Sequence, residues 1–564
     1  MEIFLGIDLG TTTTLVGRAI EGEKAISVEV LDIKQNDGRG GQIELSYLPS
    51  VAFFPPHEKP LVGLEAQMLG PQQDASRYVR AVKRQMGRRI LLPQVEREPY
   101  EVSALYLAYA LQEGRYSWPT ADAVFTVTVP ASFTTNQRAD TLLALRKACD
   151  EAGLDYPQQD EGELFISEPV AAMLAFLNQE FECPKAVRRL DLSKKNRVLV
   201  YDIGGGTLDL TLVYTEPPPS AQVQSLADLK IYVETIGYYN PFGGEDFDLV
   251  LAKDLRRRLL ERFPELQEVV LPPDQRLGVR LQLMNLAKSI KEKLSEQISQ
   301  QEPVFPDDMA EEPSHYYQGE IRVLGTDYSL EGEITESEYQ GIVAGLLAGS
   351  SRKSLTTPLK DLLEKTRFDS ARLDGLLVVG GAARLPLVPE TLRACWGNER
   401  VWIFNPPDHA VVKGAAIYSY LRRLYPGFVL SEPAADAYYV RLKKKFDLIL
   451  PARAKEKGGE LKRYELPADA DRILLQIFAG EEPERGMPIE SIYPTLIHQG
   501  GTTIALGKKY KKGTHVWVQM RYVGESGEED HTKVPWVYVW VGDQKGEPLF
   551  HLRYSELVRE VRNE

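Results

Sequence analysis

Val198–Tyr214 reads VLVYDIGGGTLDLTLVY. The opening VLVY has no polar alternation, which predicts a strand covered on both faces. It runs into Asp202, three glycines and Thr207. Beyond the glycines the pattern alternates. Thr207, Asp209 and Thr211 fall on one side and Leu208, Leu210 and Leu212 on the other, so one face is expected in a core and the other to carry hydroxyls and an acid. Glycines permit a sharp turn and let a ligand approach the backbone. Exposed N–H groups in such a turn form a concavity for an anion. Acids beside a phosphate repel it unless Mg²⁺ lies between them, directly or through its waters.

The same design stands at the start of the chain. In EIFLGIDLGTTTTLVGRAI, Asp8 ends a strand and is followed by Gly10 and the hydroxyls of Thr11, Thr12 and Thr13. Singly, each hairpin is also compatible with a glycine-rich turn and incidental acids. Two of them, facing each other across a cleft, would grip a polyphosphate from both sides. There is no G-x-x-x-x-G-K-[ST] in the chain, so the Walker arrangement is excluded. A third glycine turn, VVGGAARLP at Val378–Pro386, joins a strand to a helix and could seat a nucleoside by close backbone approach. Arg384 could lay its plane on a base there, or be a surface arginine beside a packing glycine pair.

Around these turns the apolar spacing predicts helices from Glu101 to Gly114, from Thr135 to Gly153, in EPVAAMLAFLNQEF, over 245–263 and 276–298, and in NPPDHAVVKGAAIYSYLRRL. AVFTVTVPASF predicts a strand ending at Pro130, and KQNDGRGGQIELS (34–46) a hairpin or loop. The acidic, proline-containing stretch 301–320 predicts a surface excursion. Near 428–437, YPGFVLSEPAADA marks a change of character. After it come short alternating runs such as THVWVQMRYV and PWVYVWV, punctuated by glycine and proline, as in a sandwich or barrel. The expected fold is a large α/β domain over 1–427, a linker over 428–437 and a smaller all-β domain over 438–564, ending in a short helix, YSELVREVRNE.

The chain has 564 residues and a formal net charge of −14. Nucleic acids and anionic membranes need a basic footprint, so neither is expected as a partner. RLKKKF (441–446) is the one basic run weighed against this, and it reads as a solvated strand edge. Three scattered cysteines give neither a disulfide framework nor a zinc site. The N-terminus enters a strand directly, no signal peptide is read, and no apolar run suits a membrane span. A cytoplasmic protein is expected.

The motif set resembles the Hsp70 chaperones within the actin, sugar-kinase and Hsp70 superfamily. GIDLGTTTTLVG and VYDIGGGTLDLTLV resemble its two phosphate motifs, and VVGGAARLPLV its adenosine motif. ISEPVAAMLAF and NPPDHAVVKGAA resemble its two connecting helices. AVKRQMGRR, TVPASFTTNQR and FGGEDFD resemble Hsp70 in particular. The β domain is similar to the Hsp70 substrate-binding sandwich in position and class, with LQIFAGEEPE as the nearest motif.

The resemblance implies a two-lobed, actin-like ATPase domain followed by that sandwich. It implies that Asp8 and Asp202 hold hydrated Mg²⁺, with K⁺ as a further cation. Gly10, Thr11, Thr12, Thr13 and the amides of Gly204, Gly205 and Gly206 would cradle the phosphates. Lys83 would reach the γ-phosphate, Glu168 would orient or deprotonate the attacking water with Asp209 near, and Thr207 would bond the phosphate or the water. Gly244, Glu245, Lys288, Lys291, Ser295, Gly380, Gly381, Arg384 and Asp408 would meet ribose, base and the nucleotide's far side. Glu168 has a plainer reading too, since an acid before Pro169 at a helix start is favoured by the helix dipole. Pro130 and Arg138 match a proline–arginine pair tied to interdomain signalling.

Departures from the family pattern also appear. Thr13 replaces asparagine, Lys288 stands where an acid is common, with Glu292 a turn later, and Ala382 replaces serine. GFVLSEPAADAYYV lacks the family's leucine-rich linker. Leu164 replaces an arginine that meets the J-domain co-chaperone, so that partner is not expected. About twenty residues follow Val541, which predicts no helical lid. The expected function is an ATP-hydrolysing chaperone or holdase that binds ATP and ADP, holds extended client polypeptide, and pairs with a nucleotide exchange factor. The rival is an ATP-dependent switch with little turnover that docks one dedicated protein. A sugar-type kinase would need a base at an acceptor site, and a filament protein would need no appended β domain.

Overall fold

A computed structural model describes residues 2–22, 25–87, 90–114, 122–133, 135–156, 164–218, 223–237, 240–300, 312–349, 351, 353–366, 368–431, 437–442, 445–450, 459, 461–480, 497–521, 536–542 and 548–553. They fall into two compact units. The larger takes in Met1–Ser132, Gln137–Gln159 and Leu164–Phe428, and the smaller takes in Val429–Glu564 with the short segments Phe133–Asn136 and Asp160–Glu163.

Two mixed sheets of one design organise the larger unit. In the first, the strands run in the order Phe165–Ser167, Asp122–Val129, Glu2–Leu9, Thr13–Ile20, Ser27–Val30. In the second, the order is Val401–Ile403, Gly375–Val379, Asn196–Ile203, Leu208–Glu216, Lys230–Ile236. Each has a central antiparallel hairpin, two parallel strands on one flank and an antiparallel strand on the other. The repeat read in two hairpins therefore extends to five strands. Val198, Leu199, Val200 and Tyr201 are all buried, as continuous apolar strands require. The alternation after the glycines is not a wet face against a dry one. Leu208, Leu210 and Leu212 enter the main core, but Asp209 and Thr211 are buried too, because the helix Glu168–Glu182 packs on this strand.

A helix follows the last strand of each sheet. Glu168–Glu182 begins with Pro169 in its first turn, where the missing N–H costs nothing. Thirteen of its fifteen residues are buried, as expected for a helix apolar on nearly every side. Ala410–Leu424 crosses it, and the two backbones approach so closely that a Cβ on Gly414 would overlap the carbonyl of Ala171. Gly6 likewise lets the second helix lie on the first sheet, against Ala416.

The hairpin expected in 34–46 forms from Ile33–Asn36 and Gln42–Leu45. The surface excursion expected over 301–320 does not hold for its second half. Ser314–Val323 is a ten-residue strand paired with Thr326–Thr335. Tyr317, Ile321 and Val323 are buried on one face of it, a period-two pattern masked in sequence by the acids and prolines before it. Residues 301–311 lie outside the described residues.

The smaller unit has two four-stranded antiparallel sheets, ordered Lys445–Leu450, Ala437–Leu442, Ala470–Gly480, Ile497–Tyr510 and Lys462–Glu465, His515–Arg521, Trp536–Val541, Phe550–Arg553. Tyr438, Val440, Ile449, Ile477 and Ile504 of one sheet share a core with Val516, Val518, Met520, Val537 and Val539 of the other. The helix expected at the C-terminus and residues 432–436 of the expected linker lie outside the described residues. Among the described residues no helix is long and apolar enough to cross a membrane, and Cys149, Cys183 and Cys395 are free.

Candidate functional site

The two glycine turns meet. A Cβ placed on Gly205 would stand 2.7 Å from Thr12 Cγ2 and 2.9 Å from Thr12 Cβ. Each turn is built for this approach. In the first, Gly10 lies against the carbonyl of Thr13, which leaves no room for a side chain. In the second, Gly204 N–H donates to the carbonyl of Thr207 (2.9 Å), closing the loop between Asp202 and Asp209, which sit opposite each other in register.

Four carboxyl groups and one lysine converge behind the turns. Lys83, in the short helical turn Val82–Gln85, pairs with Glu168, the first residue of its helix, and their side chains are only 4% and 11% exposed. Asp8 is the last residue but one of its strand and accepts from Thr128 Oγ1 (2.9 Å). Burial, and then the charge of Glu168, pushes the Asp8 carboxyl up to about 6, against the pull of Lys83 and Thr128. The same causes raise Asp209 to about 7 and Asp202 well above the usual carboxylate range, with Asp209 and Asp8 adding to the latter. One lysine does not neutralise four acids, of which Glu168, Asp202 and Asp209 are buried and Asp8 partly so, so the donor set suits an added cation. Among the described residues no three acidic, histidine or cysteine side chains are close enough together to chelate a metal directly. A divalent ion would fit here with water between itself and the aspartates.

The helix Gly244–Arg262 starts on the second turn. Gly244 N–H donates to Gly204 O (3.0 Å) and Glu245 N–H to Gly205 O (2.6 Å). Glu245 pairs with Arg80 and lies 3.7 Å from Arg84. Lys291 reaches Asp248 at 2.6 Å and the carbonyl of Gly244 at 3.3 Å. Ser295 Oγ donates to the carbonyl of Lys291 (2.7 Å), and Lys288 faces Glu292 at 3.8 Å.

The third glycine turn joins the same cluster. Gly380 has φ 92°, a left-handed conformation suited to glycine, and its missing Cβ would stand 2.6 Å from Asp202 Oδ1. Gly381 opens a helical turn ending at Arg384, which pairs with Asp408 at 2.7 Å. The residues expected over a base and at its far side thus hold each other here. Pro130 is buried just after its strand, Arg138 lies in the first turn of the helix Thr135–Ala152, and Leu164 is fully buried.

Sequence reading missed Thr128, Arg80, Arg84 and Asp248. Arg84 adjoins Lys83, Thr128 opens TVPASFTTNQR and Asp248 ends FGGEDFD, so these three lay inside motifs already singled out.

A family model described as Hsp70 protein matches residues 98–423, more than half of the chain. The chain belongs to the Hsp70 family. Curated relatives include Chaperone protein DnaK of Ureaplasma urealyticum serovar 10, 28% identical over 420 residues, covering 74% of this chain and 58% of that protein. Chaperone protein DnaK of Mesomycoplasma hyopneumoniae strain 7448 matches to the same extent. Chaperone protein dnaK3 of Thermosynechococcus vestitus is 28% identical over 449 residues, 74% of this chain and 55% of that protein. The matched part of this Hsp70 chain therefore corresponds to little more than half the length of these relatives.

Proposed function

We propose that the larger unit binds ATP and ADP with Mg²⁺ between its two glycine turns and hydrolyses ATP slowly, and that the smaller unit holds extended or unfolded polypeptide, as a chaperone in the cytoplasm. The contact of Thr12 with Gly205, beside a buried acid cluster short of positive charge, carries the reading. In it Gly10, Thr11, Thr12, Thr13 and the amides of Gly205 and Gly206 hold the phosphates, while Gly204 shapes the turn, its own N–H being taken by the Thr207 carbonyl. Asp8 and Asp202 hold the ion through water, with K⁺ as a second cation. The ion, when bound, offsets phosphate charge.

Lys83 exchanges Glu168 for the γ-phosphate. Glu168, released, orients the attacking water and takes its proton, while Asp209 and Thr207 fix its position. Such hydrolysis asks for placement and charge stabilisation rather than covalent chemistry. Gly244, Glu245, Lys288, Lys291, Ser295, Gly380, Gly381, Arg384 and Asp408 form the nucleoside end, with Arg384 leaving Asp408 to cover the base. Pro130 and Arg138 carry the signal between units, and an exchange factor is the expected partner.

Glu168→Ala and Thr207→Ala should each slow steady-state hydrolysis at least tenfold while ATP binding persists. Wild-type turnover equal to that of the variants would overturn the ATPase reading. It would favour a nucleotide-dependent switch that docks one protein, the reading that GFVLSEPAADAYYV, without a leucine-rich run, supports. Failure to suppress aggregation of any unfolded protein would overturn the client reading.

A further inference from the structure

Lys83 and Arg84 are consecutive, yet they part company. Ala81, with φ 53° and ψ 34°, takes the left-handed conformation that an alanine seldom adopts. The short turn after it sends Lys83 into the acid cluster and Arg84 to the second glycine turn. There Arg84 Nη2 donates to the carbonyl of Gly206 (2.7 Å). The Nη2 end of the guanidinium lies against that residue. A Cβ on Gly206 would overlap Nη2 and stand 3.3 Å from Nε, so the approach depends on glycine at 206. The arginine is also braced from behind. Glu245 Oε2 is 3.7 Å from Nη2, and Glu245 is itself fixed by Arg80 and by its own N–H on Gly205 O (2.6 Å).

One donor of this braced group is unused. Arg84 Nε is buried and has no hydrogen-bond partner. An arginine keeps its charge under all ordinary conditions, so this is a buried cationic N–H with nothing to bond, held against the turn whose amides face a prospective anion. Buried donors of this kind are rarely left unmade without a reason. The charge balance agrees. Beside the turns stand Asp8, Asp202, Asp209 and Glu168 with Lys83 alone among them, and a polyphosphate would add further negative charge.

We propose that Arg84 is a phosphate ligand of this site. A polyphosphate seated on the second turn uncovers Nε by a small shift of the side chain, and Nε donates to one of its oxygens while Nη2 stays on the Gly206 carbonyl. This rests on the ATP reading above and adds a second fixed cation to it.

The test is calorimetric titration of the full chain with MgATP, MgADP and adenosine, in wild type, Arg84→Ala and Arg84→Lys. Arg84→Ala should weaken ATP and ADP about 10- to 100-fold, the ordinary worth of one charge-assisted hydrogen bond, and leave adenosine within about twofold. Arg84→Lys, which keeps the charge but not the planar fork, should recover only part of the loss. An equal loss for adenosine would make Arg84 a strut between the turns rather than a ligand, and would overturn the assignment. So would unchanged ATP affinity in Arg84→Ala. A wild type that binds neither ATP nor ADP would overturn the ATP reading itself, and this assignment with it.

Discussion

The contact between the two turns can be tested by putting a methyl group into it. In Gly205→Ala the new Cβ would lie 2.7 Å from Thr12 Cγ2 and 2.9 Å from Thr12 Cβ, and closer still to Thr12 Oγ1. Ordinary carbon contacts sit at about 3.5–4 Å, so the turns must separate by roughly 1 Å. Gly205 is not among the positive-φ glycines, so no backbone strain adds to this. Overpacking of this size costs about 1–3 kcal/mol, against about 0.4–1 kcal/mol recovered from a less flexible unfolded chain. A net loss of stability of about 1–2 kcal/mol is expected. The effect on ligand should be larger, because a displacement of about 1 Å in a positioning group costs on the order of 100-fold. Of these three contacts Thr12→Ala keeps the one to Cβ at 2.9 Å, and roughly half the movement relieves it. Adding Gly205→Ala to that background should then cost about tenfold in ATP affinity or less, a coupling of about 1.4 kcal/mol. Thermal unfolding and MgATP titration of the four proteins measure it. If Gly205→Ala lowers stability and affinity by the same factors in both backgrounds, the turns do not touch and the site is misread.

In metal-free buffer, Asp209→Asn should stabilise the protein. The folded carboxyl, raised to about 7 chiefly by burial, starts from 3.8, so its favourable contribution is present below the lower value and lost as pH rises through that window. The shift is worth up to about 4 kcal/mol, and about 2 kcal/mol is expected because the neighbouring acids share the relief. The gap in melting temperature between variant and wild type should widen from pH 4 to pH 7; a gap unchanged over that range would contradict the cluster. Lys83→Met should cost about 3 kcal/mol in chemical denaturation, since it leaves Glu168 buried without its partner; a loss under about 1 kcal/mol would show the pair to be solvated. Ile477→Ala, at a fully buried position of the sandwich core, should cost about 2–5 kcal/mol, read from faster hydrogen exchange in the strand Ala470–Gly480; unchanged exchange would remove Ile477 from that core.

The hairpins at 8 and 202 could be read from the chain because three local signals agree within a dozen residues: an apolar strand, an acid at its end, and glycines that break it. The buried helix at 168–182 is legible for the same reason, being apolar throughout with Pro169 at its start. What stayed hidden is long-range. Arg84 meets Gly206, Arg80 meets Glu245 and Thr128 meets Asp8 across more than a hundred residues, and no spacing rule reaches that far. The strand Ser314–Val323 was hidden differently, since Tyr317, Ile321 and Val323 alternate among charged residues behind an acidic, proline-bearing stretch. Burial of Asp209 and Thr211 follows from the helix Glu168–Glu182 packed on their strand, which local alternation does not reveal.

Topology explains why so many separate motifs arrive at one place. Asp8, Glu168, Asp202, Gly380 and Asp408 lie at or just after the carboxyl ends of strands that belong to the parallel portions of the two sheets. In open α/β sheets that edge is where connections leave the strands and a crevice forms. Two sheets of the same design bring two such edges, and Thr12 against Gly205 shows that the hairpins of both face each other. Five strand ends can then supply acids and glycines to one small volume without any of them being near in sequence. The raised carboxyl groups follow from this convergence. A chain selected for stability alone would not bury Asp202, Asp209 and Glu168 around a single lysine with Asp8 beside them, since hydrophobic replacements would stabilise it. Their presence is intelligible if the cluster completes its charge balance with a cation carried by an anionic ligand, and the stability given up without ligand is then recovered on binding.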